Sequence, residues 1–291
     1  MIRFQKVSYT YLSQGPEKVQ SPSLNHISFH IPKGQCAMLC GKSGCGKTTL
    51  LRIVNGLACH FYQGRLEGDV SVSGMSPESA SLPELARVVG SVFQNPRTQF
   101  FHTDTTGELA FQLENQNMSR EQMRCRLDQV VTELGLEALM DRSIFALSGG
   151  EKQQIACGSV YASMPQVVVL DEPSSNLDME GIRKLRGLLE AMKASGVTIL
   201  VSEHRLWYLH GLADRYLLLE SGKLRGDLAP EQMTALDQQT RQTLGLRVVD
   251  RGQLLSLCPQ TRSAERMEPG LELRGFSCCR GRREVLHISH L

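Results

Sequence analysis

A chain of 291 residues with 41% apolar and 21% charged side chains has ample material for one large or two modest domains with buried cores. Its 32 basic and 30 acidic side chains leave a net charge of +2, which gives no electrostatic case for nucleic acid or an anionic surface as partner. No apolar run approaches the roughly 20 residues that cross a bilayer, and nine scattered cysteines fit no zinc spacing, so free or buried thiols in a reducing cytoplasm are expected.

Short β-branched runs alternate with longer helical patterns, which predicts an α/β fold with a largely parallel sheet. "CAMLC" (36–40), "VVGSVF" (88–93), "VVVLD" (167–171) and "VTILVS" (197–202) read as buried strands. Directly after the first of these, "GKSGCGKT" (Gly41 to Thr48) fits the G-x-x-x-x-G-K-[ST] template. Its glycines Gly41, Gly44 and Gly46 let backbone N–H groups turn inward around an anion, and the following helix adds its positive end. Lys47 is expected on the β/γ-phosphates and Thr48 on Mg²⁺, with Lys42, Ser43, Cys45 and Thr49 completing the nucleotide cradle. An adduct on Cys45 would crowd the nucleotide, so alkylation of that thiol is expected to block binding.

Between residues 104 and 146 the strand signals disappear. Ser119 and Gln122 make a capping box, Met123, Leu127, Val130, Val131 and Leu134 keep helical spacing, and Gly135 ends the run. A mainly helical insertion is predicted over about 104–160. Within it, "LSGGEKQ" (147–153) combines a Ser148/Glu151 capping box with Gly149-Gly150, a helix start that can meet phosphate without a lysine of its own. Next, "VVVLDEP" delivers Asp171 to orient Mg²⁺ and Glu172 to polarise a water as general base. Pro230 to Leu244 reads as one helix closed by Gly245, followed by a polar linker to about Gly270.

The last stretch, "GLELRGFSCCRGRREVLHISHL", roughly copies the start of the chain. Leu273–Ser277 falls on Phe4–Ser8, and Val285–Ser289 on Leu24–Ser28. Residues 271–291 are therefore expected to be the first hairpin of a second, similar domain, with Arg280 where the first has Tyr11. A lone hairpin is marginal in water, so this one is expected to be poorly ordered or docked on an exposed edge.

With these motifs in order, residues 1 to about 228 resemble an ATP-binding cassette (ABC) transporter ATPase. The resemblance implies a P-loop NTPase fold with a RecA-like mixed, largely parallel core, an N-terminal antiparallel β subdomain and a helical signature subdomain. It also implies ATP and Mg²⁺ as ligands. Tyr11 matches the aromatic that stacks on adenine, Gln94 the glutamine that senses Mg²⁺ and faces the membrane partner, and "SSNLD" (174–178) the D-loop with Asp178. His204 in "VSEHR" matches the switch histidine on the γ-phosphate. In such proteins the phosphate loop of one cassette and the signature segment of another (here Ser148, Gly149, Gly150 and Glu151) sandwich ATP head to tail. The second cassette is a homodimer or tandem partner, and closure drives a transmembrane component docked near Gln94 at the cytoplasmic face. "VFQNPRTQFF" (92–101) and "ELAFQLEN" (108–115) are similar to energy-coupling factor ATPases, which power uptake of vitamins and transition metals. The competing roles are a soluble tandem ABC protein acting on ribosomes or nucleic acid, an exporter cassette and a non-catalytic regulatory module. The mixed, non-basic linker of about 40 residues and the lack of a coiled-coil insertion weigh against the first. The intact Lys47, Asp171, Glu172 and His204 weigh against the last.

Overall fold

The computed structural model describes residues 1–12 and 22–247, and the strand backbone of 274–280 and 283–290. In chain order the elements are β1 (Ile2–Tyr11), β2 (Leu24–Ile31), β3 (Cys36–Cys40), α1 (Lys47–Val54), α2 (Leu57–His60), β4 (Gly64–Val72), α3 (Leu82–Ala86) and β5 (Val89–Val92). There follow α4 (Thr105–Asn115), α5 (Arg120–Leu134), α6 (Gly149–Ala162), β6 (Val167–Asp171), α7 (Met179–Ala194), β7 (Thr198–Ser202), β8 (Arg215–Glu220) and β9 (Lys223–Leu228). The short helices α8 (Pro230–Ala235) and α9 (Gln238–Leu244) and the hairpin β10 (Arg274–Arg280) and β11 (Arg283–His290) complete the set.

Two sheets organise the first compact unit, Met1–Arg251. The larger runs β5-β6-β7-β3-β8-β9, with its first five strands parallel and β9 added antiparallel at the edge. The smaller is an antiparallel β2-β1-β4 sheet. Strand β3 is buried on both faces, as a central strand of a covered sheet must be. Cys36, Met38 and Cys40 enter a core with the helices α4 to α7, while Ala37 and Leu39 enter the core shared with α1 and the antiparallel sheet. The two-residue period of the strand thus divides one apolar pentapeptide between two cores.

The predicted strands and the predicted helical insertion are present. Helix α5 carries the Ser119–Gln122 capping box and stops at Gly135, whose φ of 62° is the left-handed C-cap a glycine supplies. The β8–β9 hairpin was not anticipated; its signal was the "SG" pair, since Ser221 and Gly222 both take positive φ, 47° and 74°, in the turn. A single helix over 230–244 is corrected to two. Leu236 is extended (φ −59°, ψ 130°), and Asp237 restarts the chain as an N-cap accepting from the Thr240 N–H at 2.8 Å. The break lets Met233 bury fully while Leu236 and Leu244 still pack on the same core.

The predicted linker lies beyond Arg247, outside the described residues, and so does the expected order or docking of the terminal segment. In the second unit, Gly252–Leu291, β10 and β11 pair antiparallel. Phe276 is opposite Ile288 there, and the residues aligned with them, Val7 and Ile27, are opposite each other in β1–β2.

Candidate active site

Four adjacent parallel strands, β5, β6, β7 and β3, each end at a segment the sequence had singled out: Gln94, Asp171-Glu172, His204 and Gly41. Strand order gathers these groups at one sheet edge, the edge where open α/β sheets bind ligands.

The phosphate loop leaves β3 through Gly41 (φ 144°) and enters α1 through Gly46 (φ 109°). A Cβ on Gly41 would collide with the Leu219 carbonyl oxygen, and one on Gly46 would stand 2.7 Å from the Ser23 oxygen, so both positions demand glycine. The β8–β9 turn braces the loop, with the Gly222 N–H donating to the Cys45 carbonyl at 3.1 Å. Lys47 is buried, and its Nζ donates to the Gly41 and Lys42 carbonyls at 2.9 and 3.1 Å. A buried ammonium needs such acceptors, and phosphate oxygens are the stronger ones it can exchange them for. Lys42, Ser43 and Gly44 are exposed, and Thr49 is buried on α1. Cys45 is only 5% exposed and burial pushes its thiol pKa up, so the group meets an alkylating reagent slowly.

Tyr11 closes β1 beside this helix, its hydroxyl 3.3 Å from Thr49 Oγ1 and accepting from Arg52 Nη1 at 3.3 Å. Its ring stands edge-on to Tyr9 and Tyr62 at 4.9 and 5.9 Å, and the Arg52 guanidinium lies 4.3 Å over the Tyr62 ring. Arg52 and Tyr62 were not among the sequence candidates, since neither sits in a motif.

Glu172 is the meeting point of three loops. Its Oε1 lies 3.1 Å from His204 Nε2, and its Oε2 accepts from Gln94 Nε2 at 3.3 Å. Its backbone has a φ of 45°, a left-handed conformation that costs a non-glycine residue on the order of 1–3 kcal/mol, and its N–H donates to the Ser202 carbonyl at 2.9 Å. Asp171 and Thr48 line one small cavity of about 100 Å³. Asp171 Oδ1 is buried there and has no hydrogen-bond partner among the described residues. An orphaned carboxylate oxygen beside a hydroxyl suits a hard cation, so the residues fit Mg²⁺.

Ser148 caps α6. Its Oγ accepts from the Glu151 N–H at 3.3 Å, and Glu151 Oε2 accepts from the Ser148 N–H at 2.7 Å. Arg142 Nη1 holds the other Glu151 oxygen at 2.8 Å. These bonds, the Ser148 N–H first and Arg142 after it, hold the Glu151 carboxyl down at about 2. Glu151 thus spends one oxygen on the cap and the other on Arg142, which fixes the direction of the helix start, while Gly149 and Gly150 approach Asn176 and Gly181 with no side chain between. Asp178 is the N-cap of α7, accepting from the Gly181 N–H at 2.7 Å. The far end of α6 is held by Arg126, which no motif flagged: its Nε and Nη2 donate to the Ala162 and Tyr161 carbonyls at 3.1 and 2.7 Å.

Residues 24–175 match the family model for ABC transporters. A Treponema denticola chain named as an ABC transporter ATP-binding protein is 47% identical over 247 residues, covering 85% of this chain and 50% of its own length. A Methanosarcina mazei protein of the same name is 36% identical, covering 84% and 41%. The chain therefore spans about half the length of the curated relatives it matches. Among solved structures, cbiO1 of Clostridium perfringens, described as part of the ABC transporter complex cbiONQ, superposes with a TM-score of 0.71 at 23% identity, over 88% of this chain and 97% of that one. The ATP-binding cassette MJ0796, seen as a dimer with ADP and Pi, gives 0.67 at 23% identity, over 79% and 99%.

Proposed function

This chain belongs to the ABC transporter family, and on that premise we propose that it binds ATP with Mg²⁺ and hydrolyses it to energise a membrane importer. The observation that carries the reading is the Glu172 carboxylate, held between His204 and Gln94 and next in sequence to the orphaned Asp171 oxygen. Lys47 exchanges its loop carbonyls for phosphate oxygens, and the N–H groups around Gly44 and Gly46 receive the rest of the charge. Tyr11 offers its ring to adenine. Thr48 and Asp171 hold the Mg²⁺, which when bound offsets the negative charge of the phosphates. Glu172 accepts a proton from the attacking water, and His204 beside it donates toward the γ-phosphate.

Ser148, Gly149 and Gly150 serve the nucleotide of a second cassette, so ATP joins two copies and hydrolysis releases them. In support, cassette MJ0796 is described as dimeric with ADP and Pi bound. Residues 271–291 are read as the first hairpin of such a second cassette, because the aligned pairs Val7/Ile27 and Phe276/Ile288 share one register. The docking face for the membrane component is the surface by Gln94, where Phe101 is exposed and stacks on Phe111 at 4.7 Å. Import of a vitamin or metal ion, energised from the cytoplasmic face, follows the likeness of residues 92–101 and 108–115 to energy-coupling factor ATPases. Among the described residues no helix is long and apolar enough to cross a membrane.

Calorimetric titration of the full chain with ATP and Mg²⁺ tests the reading. Binding is expected for the wild type and is expected to be lost in Lys47→Ala; no adenine nucleotide uptake by the folded wild type would refute it.

A further inference from the structure

Strand β7 ends at Ser202 and leads into Glu203 and His204; Glu203, to which no motif assigns a role, is only 2% exposed. Its carboxylate accepts four hydrogen bonds. Oε1 takes the Ser174 N–H at 2.9 Å and the Tyr208 hydroxyl at 3.0 Å; Oε2 takes the His204 N–H at 2.9 Å and the Arg205 N–H at 3.2 Å. A carboxylate taken this far out of water is tolerated only with such a donor set. Tyr208 is itself fully buried, and burial together with the Glu203 charge pushes its pKa well up, so its hydroxyl stays a donor.

The donors come from two segments that meet different parts of the proposed reaction. His204 and Arg205 belong to the loop whose imidazole touches Glu172. Ser174 begins the stretch that runs through Asn176, beside the start of α6, to Asp178 at the head of α7. A second strut joins the same two segments, with Arg205 Nη1 donating to the Leu177 carbonyl at 3.1 Å.

We propose that Glu203 is a positioning residue: one buried carboxylate clamps the backbone of His204 to that of Ser174, so that the imidazole on Glu172 and the stretch leading to Asp178 shift as a unit. Glu203 acts through the backbone of His204 and Ser174, its carboxylate being taken up by four protein donors. Through it, a displacement of His204 when the γ-phosphate arrives or leaves reaches the residues beside the start of α6. This rests on the ATPase reading above. The requirement is for a group with acceptors only, because all four neighbours are donors. Glutamine keeps one accepting oxygen and turns its NH₂ toward two donors. Aspartate keeps the acceptors but is one methylene short.

The test uses the full chain with Glu203→Gln, Glu203→Asp and Tyr208→Phe. Glu203→Gln is expected to lower kcat about 10-fold or more with KM for MgATP within about 3-fold, with Glu203→Asp in between and Tyr208→Phe about 3-fold down. Amide hydrogen exchange by mass spectrometry is expected to quicken together over 173–178 and 203–208 in Glu203→Gln, with 88–92 unchanged. Unchanged kcat in these variants, a rise in KM alone, or quickened exchange in only one of the two segments would overturn the clamp. If Glu203→Gln does not fold, Tyr208→Phe decides, because it removes one donor and leaves the carboxylate. Exchange needs no turnover, so it judges the clamp even if the wild type proves unable to hydrolyse ATP, which would count against the ATPase reading alone.

Discussion

Replacing Arg126 by alanine probes how the start of α6 is aimed. Arg126 is 9% exposed and donates two hydrogen bonds to the last carbonyls of α6, with its guanidinium 4.8 Å over the Tyr161 ring. A hydrogen bond from a charged donor is worth about 1.5–3 kcal/mol. The cation over the ring adds about 0.5–2 kcal/mol. Water entering the vacated space recovers part of the lost bonding, because both acceptors are backbone carbonyls at a helix end. The net expectation is a destabilisation of about 3 kcal/mol, and of about half that for Arg126→Lys, which keeps the charge but only one donor direction. Urea unfolding followed by circular dichroism reads this as a lower midpoint at unchanged slope. ATP affinity should stay within about twofold, because the phosphate loop lies between β3 and α1, away from the α6 carbonyls that Arg126 holds. A midpoint change worth less than about 0.5 kcal/mol would refute the idea that Arg126 secures α6.

Four further outcomes are expected. Glu172→Gln keeps the shape between His204 and Gln94 but removes the base, so turnover should fall about 10²–10⁴-fold while ATP binding persists and ATP-bound dimers accumulate on size-exclusion chromatography; turnover near wild type would remove Glu172 from its role. Gly46→Ala forces a side chain against the Ser23 oxygen at a φ of 109°, and calorimetry should find nucleotide binding weakened more than about tenfold. The folded Glu151 carboxyl, at about 2, lies below its ordinary value of 4.5, so its contribution to stability is fully present above pH 4.5 and fades as pH falls toward 2. The stability gap between wild type and Glu151→Gln should accordingly close across that window in acid titrations. Cys45, buried against the loop, should react with iodoacetamide far more slowly than exposed Cys125 in peptide-mapped labelling, and equal rates would contradict its burial.

The parts of this protein that the sequence determines are those whose physics is local. A five-residue apolar run makes β3, Gly-x-x-x-x-Gly-Lys-Thr makes the bend, Ser119 with Gln122 and Ser148 with Glu151 make caps, and Gly135 makes a stop, each within a few residues of chain. The helix break at Leu236 has no local signal, because it goes with the burial of Met233 and the packing of Leu236 and Leu244 on a core built by distant segments. Tertiary structure alone decided that Gln94, Asp171, Glu172, His204 and Gly41 share an edge, since strand order β5-β6-β7-β3 is not written in any one segment. It also decided that Cys45 is sheltered, that Arg126 reaches Ala162 and that Glu203 draws in Ser174, 29 residues away. Propensity and capping act between neighbours in sequence, whereas burial and hydrogen-bond satisfaction are settled by whichever groups the packed core brings near.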